Sequence, residues 1–356
     1  MMKKIIVFVV LSLIGFPIYA QDFLKSTQFK GFGHLEYMFD KSQTKHSYFS
    51  LGEHDFFVTS QFNKKISFLG EYVVRFNGNS ATNFLPSIER SFVKFNTKGN
   101  HYLIAGKIHT PLNYWNDVYH HGRLFFPVID RPLSFSYFVP LHTLGLQAQG
   151  QNLGNLNFGY DVVVGNGIST TDAFSDHVEP AVSASFHIKP IEGMRIGVGY
   201  YYDYLTKNVS GAHSGHANAS SHYTGPKYLG PLQFNLTTLS FAYFGKKLEI
   251  LNEFAYNTTK TDTLGLAKNY SNFLYIGIPV TDENTIYGFA DIISVDVKDL
   301  HVYHLHKQRL GLGYKREFSY NLNLKTQLEY YLDKVGHGST QADRKIALEV
   351  QLSYGF

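Results

Sequence analysis

The chain has 356 residues, 44% hydrophobic and 17% charged, with a mean hydropathy of −0.16. That apolar content excludes a disordered chain. The absence of Cys excludes a disulfide framework and a Cys-based zinc or redox site. A formal charge of only +4 argues against nucleic acid as a partner. A polytopic helical membrane protein is excluded as well, since it needs several apolar runs of about 20 residues and the one long run here is N-terminal.

That first run reads as a signal peptide over residues 1–20. Lys3 and Lys4 form the charged region, Ile5 to Phe16 the apolar region, and Ala20 the small residue at a cleavage site. Loss of the two lysines lowers the charge to +2 and leaves 21–356 as the mature, exported chain.

From there the pattern is alternation with period two. It is plainest at the end: Ile346, Leu348, Val350, Leu352, Tyr354 and Phe356 share one face, and Ala347, Glu349, Gln351, Ser353 and Gly355 share the other. Alternation and turn residues predict about sixteen strands. They fall near 27–39, 47–62, 64–77, 86–96, 101–108, 140–151, 154–164, 180–189, 192–205, 232–243, 246–258, 268–278, 283–294, 306–316, 319–331 and 342–356. The phase is poor at 86–96, 232–243 and 268–278. Connections alternate between short ones and long ones, the latter at 40–46, 78–85, 109–139, 165–179, 206–231, 259–267, 295–305 and 332–341. A soluble sandwich has no reason to sort its loops this way. Outer-membrane barrels do, with short periplasmic turns and longer extracellular loops. In lipid the sheet must close to satisfy its backbone. The predicted fold is therefore all-β: a transmembrane antiparallel up-and-down β-barrel of about 16 strands.

The alternation closing on Tyr354-Gly355-Phe356 resembles the C-terminal signature of Gram-negative outer-membrane proteins. That resemblance implies that Tyr354 and Phe356 serve as an assembly signal, the final aromatic being read by the barrel-assembly machinery. Gly106-Lys107-Ile108-His109-Thr110-Pro111-Leu112-Asn113-Tyr114-Trp115-Asn116, followed by Tyr119-His120-His121 and Asp130-Arg131-Pro132-Leu133, resembles porin-like proteins grouped loosely with the phosphate-selective porins. It implies a diffusion channel with an inward-folding third loop. The dense Arg/Lys ladder of phosphate porins is missing.

Setting the apolar faces against lipid turns a mixed set of charges inward. The cations are Lys30, Arg75, Arg90, Lys94, Lys107, Arg195, Lys307, Arg309 and Lys325; the anions are Glu36, Glu53, Asp55, Glu71, Asp161, Asp203, Glu249, Glu253, Asp291, Glu329 and Glu349. They can act as a hydrogen-bonded wall or as a field that orients solutes. The segment 109–139 is too apolar to lie in water, with Leu112, Tyr114, Trp115, Phe125, Phe126 and Phe135 among its residues, and Trp115 is the only Trp. It is expected to bury these against the lumen wall and narrow the pore, with Lys107, Trp115, Asp117, Arg123, Asp130 and Arg131 at the constriction; a lid over the mouth is the alternative.

The expected function is passive passage of small hydrophilic solutes or ions through the outer membrane. Lipid, lipopolysaccharide and the assembly machinery would be partners, with a homotrimer left open. A closed barrel serving as a surface-binding or structural protein is the alternative reading, and an outer-membrane lipid-modifying enzyme a third. The 17 histidines, with His213, His216 and His222 in one loop, His301, His304 and His306 in another, and His120-His121 adjacent, match no metal-site spacing and read as solvated, so no metal or cofactor is expected. No catalytic motif is found, and Ser50 and His54 lack a third partner, so an enzyme is not expected.

Overall fold

The computed structural model describes residues 26–40, 47–76, 84–120, 122–168, 179–206, 228, 230–302, 305–335 and 343–356. The expected signal peptide and His121, His213, His216, His222 and His304 lie outside them. Sixteen strands run as β1 (Thr27–Asp40), β2 (Ser47–Gln61), β3 (Ile66–Phe76), β4 (Phe84–Lys98), β5 (His101–His109), β6 (His142–Leu153), β7 (Phe158–Gly165) and β8 (Ala181–Ile188), then β9 (Met194–Leu205), β10 (Leu232–Phe244), β11 (Glu249–Thr261), β12 (Gly265–Thr281), β13 (Asn284–Ser294), β14 (Leu305–Ser319), β15 (Leu322–Val335) and β16 (Asp343–Gly355). Each pairs antiparallel with its sequence neighbours, and β1 pairs with β16, so the sheet is a closed barrel in chain order. Among the described residues no helix is long and apolar enough to cross a membrane.

The alternation sets which face is which. On β16 Ile346 and Leu348 are exposed, while Ala347, Glu349, Gln351 and Ser353 are buried. On β14 Leu310 and Leu312 are 56% and 70% exposed, and Arg309, next to Leu310 on the other face, is buried. On these strands the large apolar side chains stand outside the ring and the polar ones inside, the arrangement that suits lipid around a barrel.

Three strands had poor phase in the sequence for two physical reasons. On β10 and β12 both faces are apolar: Leu232, Phe234, Leu236, Phe273 and Tyr275 are buried inside, while Leu239, Ile276 and Ile278 are exposed outside. On β4 the register shifts where Glu71 pairs with Arg90 but Tyr72 pairs with Ile88. The extra residue, Glu89, bulges, and Glu89 and the adjacent Arg90 both reach inward partners: Glu89 meets Arg75 at 2.7 Å and Arg90 bonds Glu71.

The short and long connections fall at opposite ends as expected, with one correction. The expected long loop 259–267 is a three-residue turn between Thr261 and Gly265. Leu264 donates to the Thr261 hydroxyl at 3.2 Å, and Gly265 takes φ 75°, which a glycine tolerates.

Leu312→Arg, at an outward position in the middle of β14, is expected to destabilise the barrel in lipid vesicles by about 2–4 kcal/mol. Asp262→Arg, in the exposed β11–β12 turn, should stay within about 0.5 kcal/mol. Equilibrium denaturant unfolding of vesicle-inserted protein measures both.

Candidate functional site

The connection between β5 and β6 enters the barrel. At its root Thr110 donates to the Leu141 carbonyl at 3.0 Å, extending the β5–β6 ladder. Asn116 then ties the two sides, its Nδ2 donating to the carbonyls of Thr110 at 2.7 Å and Leu141 at 3.2 Å. Pro111 to Asn113 run along the inner face of β9, where Gly199 leaves room. A Cβ at Gly199 would stand 3.3 Å from the Leu112 side chain and 2.7 Å from the Thr238 hydroxyl. Beyond it come a π-turn (Trp115–Tyr119), a 3₁₀ turn (Arg123–Phe125) and a short helix (Leu133–Tyr137).

Hydrophobic burial drives the insertion. Trp115 is fully buried, edge-on to Phe126 at 5.0 Å and to Phe273 of β12 at 5.5 Å. Leu112, Phe126, Phe135, Phe138 and Val139 join one cluster with the inward residues of β9 to β13, Tyr201, Leu236, Leu251, Tyr275 and Tyr287 among them. Burying side chains of this size is worth roughly 1.5–3 kcal/mol each.

Polar tethers then fix the loop to the wall on several sides. Backbone N–H groups donate to Thr238 of β10 (from Asn113, 3.3 Å), Glu253 of β11 (from Trp115, 2.8 Å), Asp291 of β13 (from Leu133, 2.8 Å) and Gln327 of β15 (from Ile129, 3.2 Å). In return Arg309 of β14 donates to the Arg131 carbonyl at 2.6 Å, and Asn323 and Lys325 of β15 donate to the carbonyls of Leu124 at 2.5 Å and Arg123 at 2.6 Å. Arg131 forks onto Glu53 of β2 at 2.6 and 3.3 Å. The loop is a structure within the lumen and not a lid over the mouth.

The expected constriction residues divide into four places. Arg123, Asp130 and Arg131 form one network. Arg123 stands 3.7 Å from Glu53, 3.8 Å from Glu36 and 3.9 Å from Asp130, and Asp130 meets Arg309 at 3.3 Å. Burial opposes the charge of Arg123, but Glu53, Glu36 and Asp130 outweigh it and raise its pKa. Burial lowers that of Arg131, despite Glu53. Asp117 lies elsewhere, bonded to Arg195 of β9. Lys107 donates to the Ile88 carbonyl at the β4 bulge, and Trp115 is part of the core.

The expected lumen residues are mostly paired. Arg75 bonds Glu53 and Glu89 at 3.1 and 2.7 Å, Arg90 bonds Glu71, and Arg309 meets Asp291 at 2.7 Å. Lys307 meets Asp333 at 3.3 Å, and Lys94 donates to Gln149 at 3.1 Å. Asp203 accepts from Ile168 N–H and Tyr201 OH at 2.8 and 2.9 Å, and Glu329 accepts from Gln327. One expectation is corrected here. Glu71, Asp203, Glu253, Glu329 and Arg309 do not line open water; they are buried, because chain and neighbouring side chains fill the space they face.

A hollow of about 1020 Å³ remains at the short-turn end, between Asp117 and Val118 of the loop and Asn152, His187, Lys189 and Arg195 of the wall. Sequence reasoning missed Glu89, which the bulge conceals, and it placed Glu53 in the wall without seeing its bond to Arg131. At the seam, Tyr354 OH lies 2.9 Å from His54 Nε2 on the outer side, and Phe356 exchanges backbone hydrogen bonds with Gly31, both at 2.9 Å.

The histidines need a second correction. His301 is fully buried against the Phe234 ring, and burial lowers its pKa to about 4. His120 is buried too, beside His109 and His142. Neither is a solvated loop residue.

Solved structures share this architecture. An anion-selective porin from Comamonas acidovorans aligns over 93% of this chain and 99% of its own, with TM-score 0.65 and 13% identity. A loop L8 deletion mutant of OmpT, an outer membrane protein of Vibrio cholerae, aligns over 93% and 99%, with TM-score 0.64 and 10% identity. The fold is that of a sixteen-stranded porin-like barrel. OmpF of Salmonella typhi, solved with daunomycin, aligns at TM-score 0.60 over 93% and 97% with 10% identity. No protein-family model and no curated protein matches the chain.

Trp115 reports on the loop alone. Its emission in the folded protein is expected to be blue-shifted and resistant to aqueous iodide. Red-shifted, readily quenched emission from folded protein would place the loop outside the lumen.

Proposed function

We propose that the protein is an outer-membrane porin of a Gram-negative cell, a channel and not an enzyme, passing small hydrophilic solutes or ions by diffusion. The observation that carries this reading is the loop: an apolar-clad closed barrel holds a connection folded inside its lumen and tethered to its wall. In this reading the loop narrows the pore, and the passage runs past Asp117 and Arg195 into the hollow at the short-turn end. The similarity of fold to an anion-selective porin and to OmpF supports it. Because charges in the lumen are largely paired, selectivity is modest and rests on the few exposed groups. Outer-membrane lipid and lipopolysaccharide, assembly through Tyr354 and Phe356, and export by residues 1–20 belong to the same reading. A homotrimer also does, with support from the trimer form solved for OmpT.

A second reading, a closed barrel acting at the cell surface, is favoured by one observation. Asp161, Asp203, Glu253 and Lys325 are all buried at the level of the loop.

Planar-bilayer recording separates the two. A porin gives steady ohmic steps. Trp115→Ala combined with Phe126→Ala, which unpacks the loop, is expected to raise the step size. Asp117→Asn should move the reversal potential under a salt gradient toward anion preference, and Arg195→Gln should move it toward cation preference. Folded, inserted protein that gives no steps would overturn the porin reading in favour of the closed barrel.

A further inference from the structure

Three imidazoles converge at the root of the inserted loop. His109 ends β5 and His142 opens β6, and the two are partners in register. His120 comes to them from the end of the π-turn. Ring centroids are 3.5 Å apart for His109 and His120, 4.7 Å for His120 and His142, and 5.2 Å for His109 and His142. One ring nitrogen from each lies within 4.8 Å of the others, and His120 and His142 are buried.

The local chain is built to hold the His120 ring there. His120 has φ 39°, a left-handed conformation that a non-glycine residue adopts only when its surroundings impose it. Its N–H is held by the Trp115 carbonyl at 2.8 Å. Its Nδ1 lies 2.6 Å from Asn116 Oδ1. Because Asn116 Nδ2 donates to the carbonyls of Thr110 and Leu141, its Oδ1 is an acceptor and His120 Nδ1 carries the proton. The lone pair is therefore on Nε2. Fixing one ring nitrogen by a hydrogen bond so that the other can ligate is how metal-binding histidines are oriented. Carboxylates stand alongside, with Glu89 Oε2 2.9 Å from His142 Nε2 and Glu71 Oε2 3.7 Å from His109 Nε2.

We propose that His109, His120 and His142, with Glu89 beside them, bind a divalent transition metal ion of the zinc class. Three imidazoles with a neighbouring carboxylate suit zinc, nickel or copper, whereas calcium and magnesium prefer all-oxygen shells. Ligation at about 2.0–2.1 Å would draw the rings closer than they now stand. The ion would join the end of β5, the start of β6 and the first turn of the loop, clasping the loop at its root. Asn116 is a positioning residue for that site. The inference does not depend on the porin reading.

The test uses full-length protein, folded in detergent as judged by heat-modifiable gel mobility, stripped with chelator and titrated with Co²⁺. One Co²⁺ per chain is expected, with visible ligand-field absorption that Zn²⁺ abolishes. Asn116→Ala should weaken binding by about 10–100-fold while keeping the absorption bands. His120→Gln and His142→Gln should each weaken it at least as much and alter the bands. A variant with His213, His216 and His222 all changed to Gln should bind as the wild type does. If His142→Gln fails to fold, His109→Gln takes its place. No saturable Co²⁺ uptake by folded wild type would overturn the proposal, as would uptake lost in the loop triple variant but retained in His120→Gln and His109→Gln.

Discussion

A ring of sixteen strands encloses a space too wide for its own inward side chains to fill. In this barrel part of that inner surface cannot be left to water. Strands β9 to β13 turn Tyr201, Leu236, Phe273, Tyr275 and Tyr287 inward, and something apolar must cover them. The chain supplies the cover itself through the β5–β6 connection, whose Leu112, Trp115, Phe126 and Phe135 have no other surface large enough to bury them. The wall and the loop therefore specify each other. Much else follows from that pairing: glycine at 199, where the loop passes against β9, and carboxylates at 253 and 291, where buried loop N–H groups need acceptors.

This pairing also explains what the sequence revealed. Strands with one apolar face, such as β16, are legible by period two because lipid and lumen ask for opposite chemistry. β10 and β12 are not, because lipid on one side and the inserted loop on the other both ask for apolar residues. The loop's apolar content announced that it must be buried, yet its partners on β9 to β13 are distant in the chain and carry no local mark. Glu89 escaped for a different reason. A bulge shifts the phase by one residue, so Arg90 read correctly as inward while its neighbour, also inward, read as outward. The histidines at 109, 120 and 142 match no motif spacing. A barrel register pair and a loop that folds back unite them, and neither is visible as a pattern.

The inward charges carry a similar lesson about wall and field. Arg75, Arg90 and Arg309 each bond carboxylates on an adjacent strand or the next, which ties neighbouring strands and cancels charge locally. Such pairs support the wall. A field across a lumen needs separated charges, and the pairs that join loop to wall, Asp117 with Arg195, Asp130 with Arg309, and Arg131 and Arg123 with Glu53, are those whose separation would change if the loop moved. The charge pattern of the lumen and the position of the loop are thereby coupled through the same side chains.

Loop position, in turn, is decided unevenly along the loop. Its middle is held by many contacts spread over β1, β2 and β9 to β15, so losing one leaves the others in place. Its root is different. There the chain leaves the ladder at Thr110 and rejoins it at Leu141, and a change in direction at that point is carried into everything beyond it. Asn116 already bridges the two sides, and His109, His120 and His142 meet immediately beside it. A tie at the root shortens the free length of the loop and so lowers the entropy lost in ordering the rest. At that root, where a single added bond would hold both ends of the loop together, three imidazoles already converge.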